Sequence, residues 1–79
     1  MVLVRNIQKD KEIIKFDYFP ENDSEVGHIE YNCKIQEIIS QTKTPYDIAM
    51  DYAGHALDAV KRILEQGKEF PKELCEMWY

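Results

Sequence analysis

Hydrophobic and polar positions along the chain follow two periods, and the change from one to the other falls near residue 44. Before it, apolar residues alternate with polar ones, as in a half-buried strand. Residues 2–8, VLVRNIQ, are rich in β-branched side chains and predict a first strand. Lys9, Asp10 and Lys11 form a short polar break that predicts a hairpin turn, without the glycine that favours a tight one. Residues 12–19 carry the cleanest alternation. Ile14, Phe16 and Tyr18 share one face, assigned to the core, while Ile13, Lys15, Asp17 and Phe19 share the other. Pro20 ends the strand because it has no N–H for a sheet ladder. After the polar loop PENDSE, residues 26–31 resume strand character, with Ile29 and Tyr31 alternating against His28 and Glu30. A turn at Asn32, Cys33 and Lys34 and a fourth strand over residues 35–40, containing Ile38 and Ile39, complete the pattern. One long third strand running through residue 40 is the alternative.

Residues 44–67, TPYDIAMDYAGHALDAVKRILEQG, switch to the helical period. Thr44 is the expected N-cap, Pro45 suits the first helical position, and Asp47 completes an approximate capping box. Lys61 and Arg62 favour the C-terminal end of the dipole, and Gly67 suits the C′ position. Advancing about 100° per residue from residue 47 puts Asp47, Asp51, His55, Asp58, Arg62 and Glu65 in an arc of roughly 80°. Ile48, Ala49, Met50, Tyr52, Ala53, Ala56, Leu57, Ala59, Val60, Ile63 and Leu64 fill about 100° to 300°. That apolar arc is about twice the width of the roughly 100° stripe that packing on a sheet requires. Alanines and Val60 lie along its middle and permit close approach to a sheet. One flank therefore calls for a further cover. The tail KEFPKELCEMWY is the internal candidate, as a short helix after Pro71, and a second copy of the chain is the external one. Tyr52, Leu57, Leu64, Phe70, Met77, Trp78 and Tyr79 are the candidate interface residues, since aromatic anchors are enriched where proteins meet.

Composition narrows the class. Seventy-nine residues make one domain over residues 1–79, and a domain of this size buries only about 60% of the surface its unfolded chain exposes. Association is a usual source of added stability at that size. Fifteen acidic residues against ten basic ones give a net charge of −5, which speaks against binding nucleic acid. Residues 17–30 hold Asp17, Glu21, Asp23, Glu25 and Glu30 without a Lys or Arg, an acidic stretch that a basic partner could meet. Cys33 and Cys75 are too few for a disulfide framework, and neither a signal peptide nor a membrane-length apolar run is present, so a cytoplasmic location is expected.

Candidate chemistry is sparse. Asp51 and His55, four apart on the polar arc, are a conceivable metal or acid–base pair, but no second helical His accompanies them. Charged residues such as Asp58 and Arg62 on the same arc read as an ordinary solvated face. Cys33 and Cys75 are single thiols without a C-x-x-C spacing, and only a tertiary cluster with His28 and His55 would make them metal ligands. Gly27, Gly54 and Gly67 form no phosphate loop. KFDYFPEN and TPYDIAMDYAGHAL look superficially similar to the β-meander and helix of the HicB-type antitoxin domain. The family's short glycine-containing turn after its strand-ending proline is missing here. The double-stranded-RNA-binding domain has a comparable outline, but its basic helix start is replaced by Asp47 and Asp51. Neither comparison amounts to a family assignment.

These readings converge on an α+β domain. It is expected to have a three- or four-stranded antiparallel β-meander, one long amphipathic helix on one face and a short C-terminal helical tail. The expected role is that of a non-catalytic interaction or regulatory protein acting as a homodimer, without cofactor, metal, nucleic acid or membrane. An antitoxin-like binder of a basic partner, or a small-molecule or metal-binding protein, is the alternative.

Overall fold

The computed structural model describes residues 1–21, 24–45 and 51–77. Its elements are β1 (Val2–Asp10), β2 (Ile13–Pro20), β3 (Gly27–Asn32), β4 (Glu37–Thr42), α1 (Tyr52–Gln66) and β5 (Glu73–Glu76). The strands form one antiparallel sheet in the order β4-β3-β2-β1-β5. The first four make the expected meander. The chain then crosses one face of the sheet as α1 and returns to the far edge of β1.

Local chemistry explains the turns. Asp10 pairs with Ile13, so the first hairpin turns at Lys11 and Glu12, and Lys11 itself takes the left-handed φ of 57° that a glycine would otherwise supply. Between β3 and β4, the Asn32 side-chain carbonyl accepts the N–H groups of Lys34 at 2.9 Å and Ile35 at 3.2 Å. That side chain closes the turn as a backbone carbonyl would, and Gln36 completes it at φ 58°. Residues 26–40 are therefore a hairpin and not one long strand. Two bulges interrupt the ladders. Asn6 and Ile7 together oppose one residue of β2, with Asn6 at φ 58°, a conformation asparagine tolerates. On β4, Glu30 pairs with Ser40 while its neighbour Tyr31 pairs with Ile38, which leaves Ile39 as the extra residue.

The core lies between the sheet and α1. Val2, Val4, Ile14, Phe16, Tyr18, Ile29 and Tyr31 supply the sheet side, and Tyr52, Ala53, Ala56 and Val60 the helix side. The expected alternation of β2 holds, with Ile14, Phe16 and Tyr18 all buried. On the helix, the buried residues Tyr52, Ala53, Ala56, Ala59 and Val60 occupy an arc of only about 120°. Leu57 and Leu64 are partly buried against the same core.

Three expectations are corrected. The C-terminal segment is a strand, not a short helix. Four residues are too few to repay helix nucleation, whereas β1 offers an unpaired ladder, and opposite Val4 the apolar Leu74 packs against the core. The sheet consequently has five strands. Third, α1 is capped by Asp51, not Thr44: Asp51 Oδ1 accepts the N–H of Gly54 at 2.8 Å, and Asp is among the strongest N-cap residues. Thr44 is instead buried. The expected helical residues 46–50, with Asp47, Ile48, Ala49 and Met50, lie outside the described residues, as do Trp78 and Tyr79 of the tail. The other helix end matches expectation: Gly67 at φ 68° lets its own N–H reach Leu64 O at 3.1 Å, and that of Lys68 reach Ile63 O at 3.3 Å. Asp51→Ala is expected to lower stability by about 1 kcal/mol, measured by urea unfolding, and Asp51→Asn, which keeps a capping oxygen, to lower it less.

Candidate functional site

The helix covers one face of the sheet; the other, the open face, carries mostly exposed or half-exposed side chains, with Leu3 buried among them. Strand register arranges its side chains in rows that cross the strands. One row runs Glu73, Arg5, Asp17, His28, Thr42 through all five strands. Arg5 Nε donates to Glu73 Oε2 at 2.7 Å, and its guanidinium lies 5.1 Å from the centre of the Phe19 ring. Asp17 is bound on both sides, by His28 Nδ1 at 2.8 Å and by Asn6 Nδ2 at 2.8 Å. In the next row Lys15 pairs with Glu30 at 3.3 Å. Exposed pairs of this kind contribute at most about 1 kcal/mol each. Asp17 and Glu30, two members of the acidic 17–30 stretch, are already matched within the chain, and Glu21 is a third.

Glu21 receives the Met1 α-ammonium and, at 3.2 Å, the Tyr52 hydroxyl. Its N–H also donates to Met1 O at 2.9 Å. The hydrogen bond from the α-ammonium, helped by its charge and by Tyr52, holds the Glu21 carboxyl below its ordinary range against a smaller opposing effect of desolvation. A carboxyl with a lowered folded-state pKa stabilises the fold above its unfolded value, about 4.3, and loses that contribution as pH falls through the folded value. Glu21→Gln is accordingly expected to flatten the acid limb of a plot of melting temperature against pH below about 4.3, with no comparable change in slope near neutrality.

The polar arc of α1 faces an open cleft of about 490 Å³ lined by His55, Asp58, Lys61, Arg62, Glu65 and Glu76. Arg62 is ion-paired with Glu76 of β5, and the hydrogen bond between them raises the guanidinium pKa further. The stripe that the sequence presents as solvated thus also fastens the helix to the last strand. The Asp51 carboxylate does not stand free for acid–base work: its Oδ1 accepts the Gly54 N–H at 2.8 Å, and His55 N donates to Asp51 O at 3.2 Å in the ordinary helical pattern. Nor do the thiols and imidazoles meet. Cys33 sits in the β3–β4 turn and Cys75 on β5, three strand spacings or about 14 Å across the sheet, well beyond the roughly 7 Å limit for a disulfide. His28 belongs to the open face, in its row with Asp17, and His55 to the helix on the opposite face. Among the described residues, no three His, Cys, Asp or Glu side chains converge on a metal-sized position.

What remains is apolar surface. Of the candidate interface residues, Tyr52 is buried in the core, and Leu57, Leu64 and Phe70 pack partly against it; Met77 is exposed, and Trp78 and Tyr79 lie outside the described residues. The chain's own sheet, extended by β5, covers much of the helix arc. Of the exposed large apolar side chains, Val26 precedes β3 and Met77 follows β5, and the other three lie on and beside β4, where Ile35 is 56%, Ile38 43% and Ile39 51% exposed. The helix lies chiefly over β5, β1, β2 and β3, and β4 projects past it. Beside this ledge, Tyr31, Cys33, Gln36, Lys61, Leu64 and Glu65 line a groove of about 220 Å³, with the Lys61 ammonium 5.6 Å from the centre of the Tyr31 ring. Sequence reasoning placed Ile38 and Ile39 in a strand but not at an open edge. Two adjacent isoleucines break strict alternation, and that is the available signal for a bulge. Comparison with protein family models, with characterised proteins and with solved structures finds no match to this chain.

Proposed function

We propose that this chain is a small non-catalytic interaction or regulatory module of the cytoplasm that acts as a homodimer. The observation that carries this reading is the ledge of Ile35, Ile38 and Ile39 on a sheet edge that pairs with no other strand among the described residues. An edge strand exposes a row of unpaired N–H and C=O groups, and apolar side chains beside that row make it a template for another strand. Secondary support comes from the polar groups: Asp17, Glu21, His28, Glu30, Asp51, Glu73 and Glu76 are engaged in caps, ion pairs or cross-strand bonds, and among the described residues no three His, Cys, Asp or Glu side chains gather into a metal-sized group. The net charge of −5 and the absence, among the described residues, of a helix long and apolar enough to cross a membrane fit the same reading.

The deciding experiment is multi-angle light scattering with the melting curve as control. The wild-type chain is expected to run as a dimer at micromolar concentration. Ile38→Glu, at a half-exposed position, is expected to run as a monomer while retaining the wild-type circular dichroism spectrum. A wild-type chain that stays monomeric at high micromolar concentration removes the reading.

A further inference from the structure

Resting on the homodimer reading, we propose that the second copy adds along β4 in one particular antiparallel register, with residue 37 of each protomer opposite residue 42 of the other. The two five-stranded sheets then join into one continuous sheet about a two-fold axis between Ile39 and Ser40, with both helices on the same face.

The sheet has two edges, and they differ. β5 is four residues long, and its Glu73 and Glu76 are held by Arg5 and Arg62. β4 is six residues long, mostly exposed, and flanked by the apolar ledge. Symmetric dimers use one patch twice, so β4 meets β4.

The bulge selects the register. Pairing a strand with its own copy over its full length matches residue 37 with 42, 38 with 41 and 39 with 40. In a regular six-residue strand those partners point to opposite faces, because side chains alternate with a period of two. Full-length self-pairing is then forbidden. β4 is not regular. Glu37 is paired with Asn32 and Thr42 with His28, both on the open face, while Ile38 is paired with Tyr31 and Gln41 with Ile29, both on the helix-bearing face. The extra residue, Ile39, shifts the alternation by one and makes the pattern of faces read the same in both directions. Each bulged residue also falls opposite the bulged region of the other copy, so neither strand is left with an unmatched insertion.

Charge agrees with the same direction. Glu37 opens the strand and Lys43 follows its end, so antiparallel addition brings opposite charges to each end of the new ladder, with Glu37 opposite the partner's Thr42 and Lys43 one residue further on. A parallel arrangement sets like charges together, which is unfavourable across strands.

Disulfide trapping reads the register directly. In a Glu37→Cys/Thr42→Cys chain the two thiols of one protomer are about 16 Å apart along the strand, too far to bridge within it. Mild oxidation is expected to give a dimer on a non-reducing gel, with the 37–42 bridge identified by peptide mass mapping against the native Cys33 and Cys75. An equimolar mixture of the Glu37→Cys and Thr42→Cys single variants is expected to cross-link as the mixed pair far faster than either single variant with itself. As a second arm free of cysteine chemistry, Glu37→Lys and Lys43→Glu are each expected to weaken dimerisation several-fold and their combination to restore it. A chain that is dimeric by light scattering but forms no 37–42 bridge, and whose charge reversals do not compensate, overturns the register while leaving the homodimer intact. A monomeric wild-type chain overturns both.

Discussion

Replacing Ala56 with leucine is expected to cost about 3 kcal/mol and to lower the melting temperature by more than 10 °C. Ala56 is fully buried at the centre of the helix stripe, flanked by Ala53, Ala59 and Val60 and in one core cluster with the bulky sheet residues Phe16 and Tyr18. Small residues along α1 let the helix backbone settle close to the sheet, and three added carbon atoms have nowhere to go unless the helix lifts. Burial of extra apolar area favours the larger side chain by roughly 2 kcal/mol, but that gain requires a cavity, and the site has no exposed surface to give up. Total stability for a chain of this length is about 4–12 kcal/mol, so the loss is a large fraction of it. Asp58→Ala, on the exposed side of the same helix, is expected to change stability by less than about 0.5 kcal/mol. Paired thermal melts of the two variants check the contrast, and equal shifts would falsify the close-approach account.

A second large effect is expected at Gly27. In a strand, glycine to alanine ordinarily gains about 0.5–1 kcal/mol, because the unfolded chain loses freedom. Here the sign reverses. Gly27 is the cross-strand partner of Tyr18, and a Cβ on it would fall inside the space of the Tyr18 ring. That ring is fully buried and cannot swing aside. Overpacking costs about 1–3 kcal/mol, so Gly27→Ala is expected to lose about 2 kcal/mol net. The double variant Gly27→Ala/Tyr18→Leu is expected to be less destabilised than the sum of its two single changes, since the smaller side chain frees the space that the methyl needs. A urea-unfolding double-mutant cycle measures this coupling, and strict additivity counts against it.

Much of the fold was legible because period and chemistry agreed. Ile14, Phe16 and Tyr18 alternate cleanly against charged neighbours, and that is enough to give β2 its core face. Gly67 is placed for a left-handed C′ and occupies one. The misses share a cause: each depended on what lay across the sheet. Leu74 and Glu76 alternate for too few residues to separate a strand from a helical turn, and β1's need for a second partner decided the matter. Thr44 and Asp51 are both good N-caps by residue type, and local pattern does not rank them. The over-wide helix arc was real, but a strand contributed by the chain itself covers part of it. Pairs such as Asp17 with His28 and Tyr18 with Gly27 become visible only once the register is known. The exposed isoleucines of β4 were assigned to the right element but not to its edge, because edge position is a property of strand order, which the linear pattern does not encode.

The pairing of β1 with β5 bears on how the chain reaches its fold. Val2 lies opposite Glu76 and Arg5 opposite Glu73, so this ladder joins residues separated by nearly the whole described length. Contacts so distant in sequence carry a high loop-closure cost and slow the folding of small domains. The meander and the helix can assemble from nearer neighbours, whereas β1 keeps an unpaired edge until residue 76 has left the ribosome. During synthesis the young sheet therefore has β4 and β1 both open. Only the second of these is later closed by a strand of the described chain, β5.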